Sequence, residues 1–109
     1  MPAGTNLILA TRSEILAHLR TLRANIAMAR AALMNYKDDR LDRDKLEPAA
    51  RRVDDLMDMY AGSSRSVPRG LAWIAEIESG IEAVTNAKAA VALSEAQAGV
   101  TALRAAMGS

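Results

Sequence analysis

The last quarter of the chain, AVTNAKAAVALSEAQAGVTALRAAM (Ala83 to Met107), constrains the fold most. It holds ten alanines, no aromatic residue and three charges, Lys88, Glu95 and Arg104. Alanine loses no side-chain entropy in a helix, so the segment favours helix over strand or coil. A surface helix ordinarily carries a broad polar face, and that face is nearly missing here. Small side chains all round let neighbouring helices approach closely from more than one direction. Such a segment is expected inside a bundle or between subunits.

The rest of the composition points the same way. A chain of 109 residues is one small domain with a modest core. Half of it is apolar, yet it has no Phe, one Trp and two Tyr. Burial is worth roughly 25 cal/mol per Å², so a core without large aromatics stabilises a monomer only modestly and oligomerisation would add to it. The net charge of +1 gives no field that predicts a nucleic acid or a membrane as partner. With no cysteine there is no disulfide, thiol chemistry or thiolate metal site. The start, MPAGTNLILATRSE, has no basic residue before its short apolar run and reads poorly as a secretory signal. No stretch approaches the ~18 apolar residues of a membrane span. The expected location is the cytoplasm, or the inside of a virion or other assembly.

Three helices are expected, at about 12–37, 46–60 and 68–107, in one domain. In the first, Ile15, Leu19, Leu22, Ile26, Ala29, Leu33 and Tyr36 alternate at intervals of four and three, a heptad seam. Thr11 or Ser13 can cap its start. KDDRLDRDK (Lys37 to Lys45) reads as a turn. Asp44 with Glu47 fits a capping box, and Pro48 suits a first helical turn. The second seam is Leu46, Ala50, Val53, Met57 and Tyr60. AGSSRSVP (Ala61 to Pro68) is a second connection, and Pro68 opens the third helix. Gly80 weakens that helix, and Ser79 with Glu82 could restart it there. A kink near Gly80 or Asn86 that folds the end back is the alternative to one unbroken rod.

The third helix carries two stripes. Ile74, Ile77, Ile81 and Val84 form the first, with Trp73 beside it, and its continuation meets Lys88 and Glu95. Leu93, Val100, Leu103 and Met107 form the second, rotated by about 110°. Unbroken, the helix would outrun the hairpin by roughly 20 Å. The expected fold is therefore all-α and three-helix bundle-like. A hairpin of a long and a short helix is completed by the first stripe, while the second stripe contacts another chain. The core seam is Ile15, Leu19, Leu22, Ile26, Leu33, Val53, Met57, Ile74, Ile77, Ile81 and Val84. The candidate interface is Arg65, Arg69, Trp73, Leu93, Ala98, Val100, Ala102, Leu103 and Met107.

Chemistry-bearing residues are sparse. His18 is the only histidine and has no partner nearby in sequence, so a general base is not indicated. Asp38, Asp39, Asp42 and Asp44 lack the glycine and terminal glutamate of a calcium loop and alternate with cations, which suits a solvated turn. Helix one carries Arg12, Arg20, Arg23, Arg30 and Lys37 against Glu14. These could bind phosphates, but no aromatic residues interleave with them. An antiparallel hairpin would set Asp54, Asp55 and Asp58 beside Arg23 and Arg30, which favours pairing within the chain. No phosphate loop, nucleophile elbow or metal cluster is present, so no enzyme and no cofactor is expected.

Trp73 is followed by Ile74 and Ala75, so the Trp-x-Gly turn of helical-hairpin secretion substrates is absent. EILAHLR (Glu14 to Arg20) and AARRVDDLMDMYAG (Ala49 to Gly62) are similar to short stretches of small helical phage head–tail connector proteins. They consist of common helix residues, and no residue role is carried over from that family. The function expected from the residues is that of a non-enzymatic structural subunit. It would pack through its C-terminal helix into a homo-oligomer or a larger bacterial or phage complex, with protein rather than nucleic acid or membrane as partner. A small adaptor or inhibitor of one target protein, and a nucleic-acid binder using helix one, are the alternatives.

Overall fold

The computed structural model describes residues 11–35, 37–62 and 66–108. They form four α-helices and no strand: α1 (Arg12–Ala32), α2 (Arg40–Ala61), α3 (Val67–Glu82) and α4 (Ala90–Ala106). A short 3-10 helix, Ala87–Ala89, precedes α4. The architecture is an all-α bundle.

Each boundary has a local cause. Thr11 and Glu14 form a reciprocal capping box at the start of α1. Leu33 leaves helical geometry, and Asn35 then turns the chain by accepting from the backbone N–H groups of Lys37 and Asp38. The helix thus stops about five residues short of the expected 37, while Leu33 stays buried. Tyr36 lies outside the described residues.

Helix α2 begins at Arg40, some six residues before the expected start. Asp44 and Glu47 therefore sit inside the helix rather than capping it. Pro48, expected in the first turn, is interior, where the ring removes one helical hydrogen bond. Tertiary ties hold the extra turns. Arg43 donates to the carbonyl oxygens of Leu33 and Asn35 at 2.6 and 3.1 Å. Helix α3 starts with Ser66 accepting from the Arg69 N–H and with a proline in its first turn.

The largest departure from expectation lies at Ala83–Asn86. The third helix is not one rod: it passes through Gly80, ends at Glu82, turns, and returns as α4. Neither Gly80 nor a Ser79–Glu82 cap causes the break. Asn86 does, accepting from the Lys88 N–H at 3.0 Å in extended backbone geometry. Successive helices run antiparallel: Arg30 meets Glu47 and Arg23 meets Asp54, Arg52 meets Glu76, and Arg104 meets Glu78. Helix α4 lies against α1, Gly99 facing Leu22, and this contact with that of α2 on α3 is the most extensive of the bundle. Of the neighbouring helices α3 and α4 touch least, while α1 and α3, and likewise α2 and α4, sit across the diagonals.

One core runs through the four helices. Ile15, Leu19, Leu22, Ile26 and Leu33 enter it from α1 and its end; Leu46, Val53, Leu56 and Tyr60 come from α2. Ile74, Ile77, Ile81 and Val84 join from α3 and its end, and Leu93, Ala96, Val100, Leu103 and Met107 from α4. Met57 is half-buried against this cluster. Small residues set the spacing. A Cβ on Gly80 would lie 3.1 Å from the Ala49 Cβ and 3.2 Å from the Lys45 carbonyl oxygen, so α3 rides close on α2 there. On Gly99 the nearest atom would be the Leu22 Cδ1 at 3.6 Å, an ordinary contact.

These two glycines are expected to respond oppositely. Gly99→Ala should raise stability by up to about 1 kcal/mol, because alanine is the better helix former and there is room for it. Gly80→Leu should lower it by about 1–3 kcal/mol through overpacking. Urea unfolding followed by circular dichroism checks both. Equal effects at the two sites would contradict the spacing.

Candidate interaction face and the polar clasp

Residues expected to form the interface do not come together on one surface. Leu93, Val100, Leu103 and Met107 are buried in the chain's own core and cannot meet another subunit. This corrects the reading of the second stripe as intermolecular. The stripe was rotated away from the first because a reversal intervenes, and once α4 turns back both stripes face one interior. Ala98 and Ala102 are exposed on the outside of α4. Arg65 lies outside the described residues.

Arg69 is exposed in the first turn of α3. Trp73 is half-buried against the core, with the Arg52 guanidinium 5.2 Å from its ring centre. Arg52 also reaches Asp55 at 3.0 Å and Glu76 at 3.2 Å. The tryptophan thus serves the α2–α3 seam, in a different part of the molecule from the outer face of α4.

That outer face is built from Val91, Ala98 and Ala105 at intervals of seven, with Ser94, Thr101 and Ala102 between them. All six are exposed, and Val91 is 74% exposed. Among the exposed positions of α4 only Glu95 is charged. Arg104 is turned to α3, where two of its nitrogens reach both oxygens of Glu78 at 3.2 Å. The Arg104 hydrogen bonds hold the Glu78 carboxyl below its ordinary range against the opposing effect of burial. Neighbouring α1 looks different, exposing Arg12, Glu14, Arg20 and Arg23, and so does α2 across the bundle, exposing Arg40, Asp44, Arg51, Asp54 and Asp58.

At one end of the bundle, the connections 33–39 and 83–89 are tied by a polar clasp that the sequence reading missed. Asp39, expected in a solvated turn, is 2% exposed. Its carboxylate accepts from the Lys88 ammonium at 2.8 Å, the Asn35 N–H at 3.0 Å and the Asn86 amide at 3.2 Å. The same Asn86 amide donates to Asp42. The Lys88 hydrogen bond holds the Asp39 carboxyl below its ordinary range, helped by Asn35 and Asn86, while burial works the other way. The Asn86 cap was the available signal. What Asp39 would meet 49 residues later was not written locally.

Among the described residues no group of three or more His, Asp or Glu side chains is placed to hold a metal. His18 is half-buried on α1. Among the described residues no helix is long and apolar enough to cross a membrane.

The clasp sets a pH dependence. A carboxyl whose pKa is lowered by folding contributes stability that is fully present above its unfolded value, ~3.9 for an aspartate, and lost as pH falls through the folded one. Lys88→Met should therefore destabilise the protein at neutral pH, and its deficit relative to the wild type should shrink as Asp39 protonates below about pH 4. Unfolding measured from pH 7 to pH 3 checks this; a deficit unchanged across that range would contradict it. No protein-family model, no curated protein and no solved structure matches the chain.

Proposed function

We propose that the protein is a non-enzymatic helical assembly subunit that associates with copies of itself through the outer face of α4. The observation that carries this reading is the composition of that face. Val91, Ser94, Ala98, Thr101, Ala102 and Ala105 are exposed in register over four turns, with Glu95 as the one charge. Helices bearing small residues on a shared face can pack backbone to backbone, and the heptad interval keeps that face turned to its partner. Val91 supplies a larger apolar side chain at one end of the face.

The basic residues of α1 lend less to a nucleic-acid role. Arg30 reaches Glu47 at 2.6 Å and Arg23 reaches Asp54 at 3.7 Å, so two members of the stripe face acids of α2. A small adaptor docking the same α4 face on a different protein is the second reading, since the face itself would serve either partner.

Light scattering at tens of micromolar separates them. Self-association gives a mass of two or more chains. Ala98→Glu and Ala102→Glu should each return it to one chain with helicity unchanged, because both positions are exposed. A wild type that stays at one chain's mass would sink self-association. An oligomer indifferent to both substitutions would remove the α4 face from it.

A further inference from the structure

Between the end of α3 and the beginning of α4 lies a groove of about 410 Å³. Small-molecule sites span roughly 300–1,000 Å³. Ile81, Val84 and Leu93, all buried core residues, give it an apolar floor. Glu82 is the only charged residue in the lining. Among the described residues it has no ion-pair partner. The nearby ammonium groups are engaged: Lys45 with Asp42 and the Ala83 carbonyl, Lys88 with Asp39.

Gln97 forms part of the wall. Its Nε2 donates to the Glu78 carboxylate at 3.2 Å, and its Oε1 is buried with no hydrogen-bond donor. Exchanging the amide's oxygen and nitrogen would set two acceptors against each other, so chemistry fixes the orientation. A buried acceptor without a donor is costly. The terminal torsion of a glutamine is soft, so a donor in the groove can draw the buried oxygen round at the expense of the 3.2 Å Nε2 contact with Glu78.

We propose that this groove binds a small organic cation, a primary ammonium on an apolar body. The ammonium would lie against Glu82 and donate an N–H to the Gln97 Oε1. The apolar body would cover Ile81, Val84 and Leu93. An anion is repelled by Glu82, and a wholly apolar molecule leaves the Gln97 oxygen without a donor. The ligand class thus follows from the one charge and the one unpaired acceptor.

The test is a titration of methyl-labelled protein, followed by NMR, with phenethylammonium chloride and with 2-phenylethanol, which has the same skeleton without the charge. The Ile81, Val84 and Leu93 methyl signals should shift. At low salt the ammonium should bind up to about fivefold more tightly than the alcohol, as expected for an exposed ion pair. Glu82→Gln should abolish that preference, and Gln97→Leu should weaken both ligands by about fivefold. Equal affinities in the wild type, shifts centred on the exposed Leu41 and Val91, or no shift at tens of millimolar would each overturn the proposal. So would floor signals that change with protein concentration alone, since a second copy would then occupy the groove. The mass of the protein is read separately, so failure here leaves the α4 face to its own test.

Discussion

The contact of Asp39 with Asn86 and Lys88 carries more of the architecture than its size suggests. It joins two turns that are far apart in sequence, and one of them is the reversal that makes α4 a member of the bundle. Asn86 acts twice there, capping the 3-10 helix with its oxygen and donating from its nitrogen to Asp39 and Asp42. A carboxylate buried to this degree needs its donors, because an unpaired charge in the interior is strongly unfavourable. The clasp and the reversal therefore support each other: the turn brings the donors, and the donors permit the burial.

Everything downstream follows from that reversal. With α4 folded back, Leu93, Val100 and Leu103 close a largely aliphatic core in which Tyr60 is buried and no Phe is present. Small residues compensate for the missing aromatic volume by letting helices come close, as at Gly80 against Ala49. The seam between α3 and α4 remains the thinnest, held by Glu78 with Arg104 and Gln97, and the groove opens beside it. The alanines fall into two sets: Ala92 and Ala96 pack inward, while Ala98, Ala102 and Ala105 are left outside. A helix that is bland on all sides thus has a physical reason on each.

The apolar periodicity alone was enough to mark the inward faces of α1 and α3, whereas on α2 it pointed to Ala50 and Met57 while Ala49 and Leu56 are the buried pair. Ile15 to Leu33 and Ile74 to Val84 are spaced for burial, and they are buried. What escaped was decided by contacts at a distance. The early start of α2 depends on Arg43 reaching back to Leu33 and Asn35, and such ties can override a proline inside a helix. The rotation between the two stripes was visible, but it fits both a straight helix with two neighbours and a reversal with one. Asn86 was the deciding residue. Its weight came from Asp39, a residue that looks like any other acid in a charged turn.

The distance between α1 and α4 tests this account most directly, and a chain without cysteine is suited to it. Ala17 and Ala105 are both exposed, and the antiparallel register that sets Leu22 against Gly99 brings them to the same level on adjoining helices. Spin labels placed at the two positions, diluted with unlabelled protein, should report a separation below about 30 Å, as neighbouring helices ~10 Å apart require. A distance beyond about 45 Å, as an unbroken third helix would give, would contradict the reversal and the assignment of the outer alanine face that rests on it.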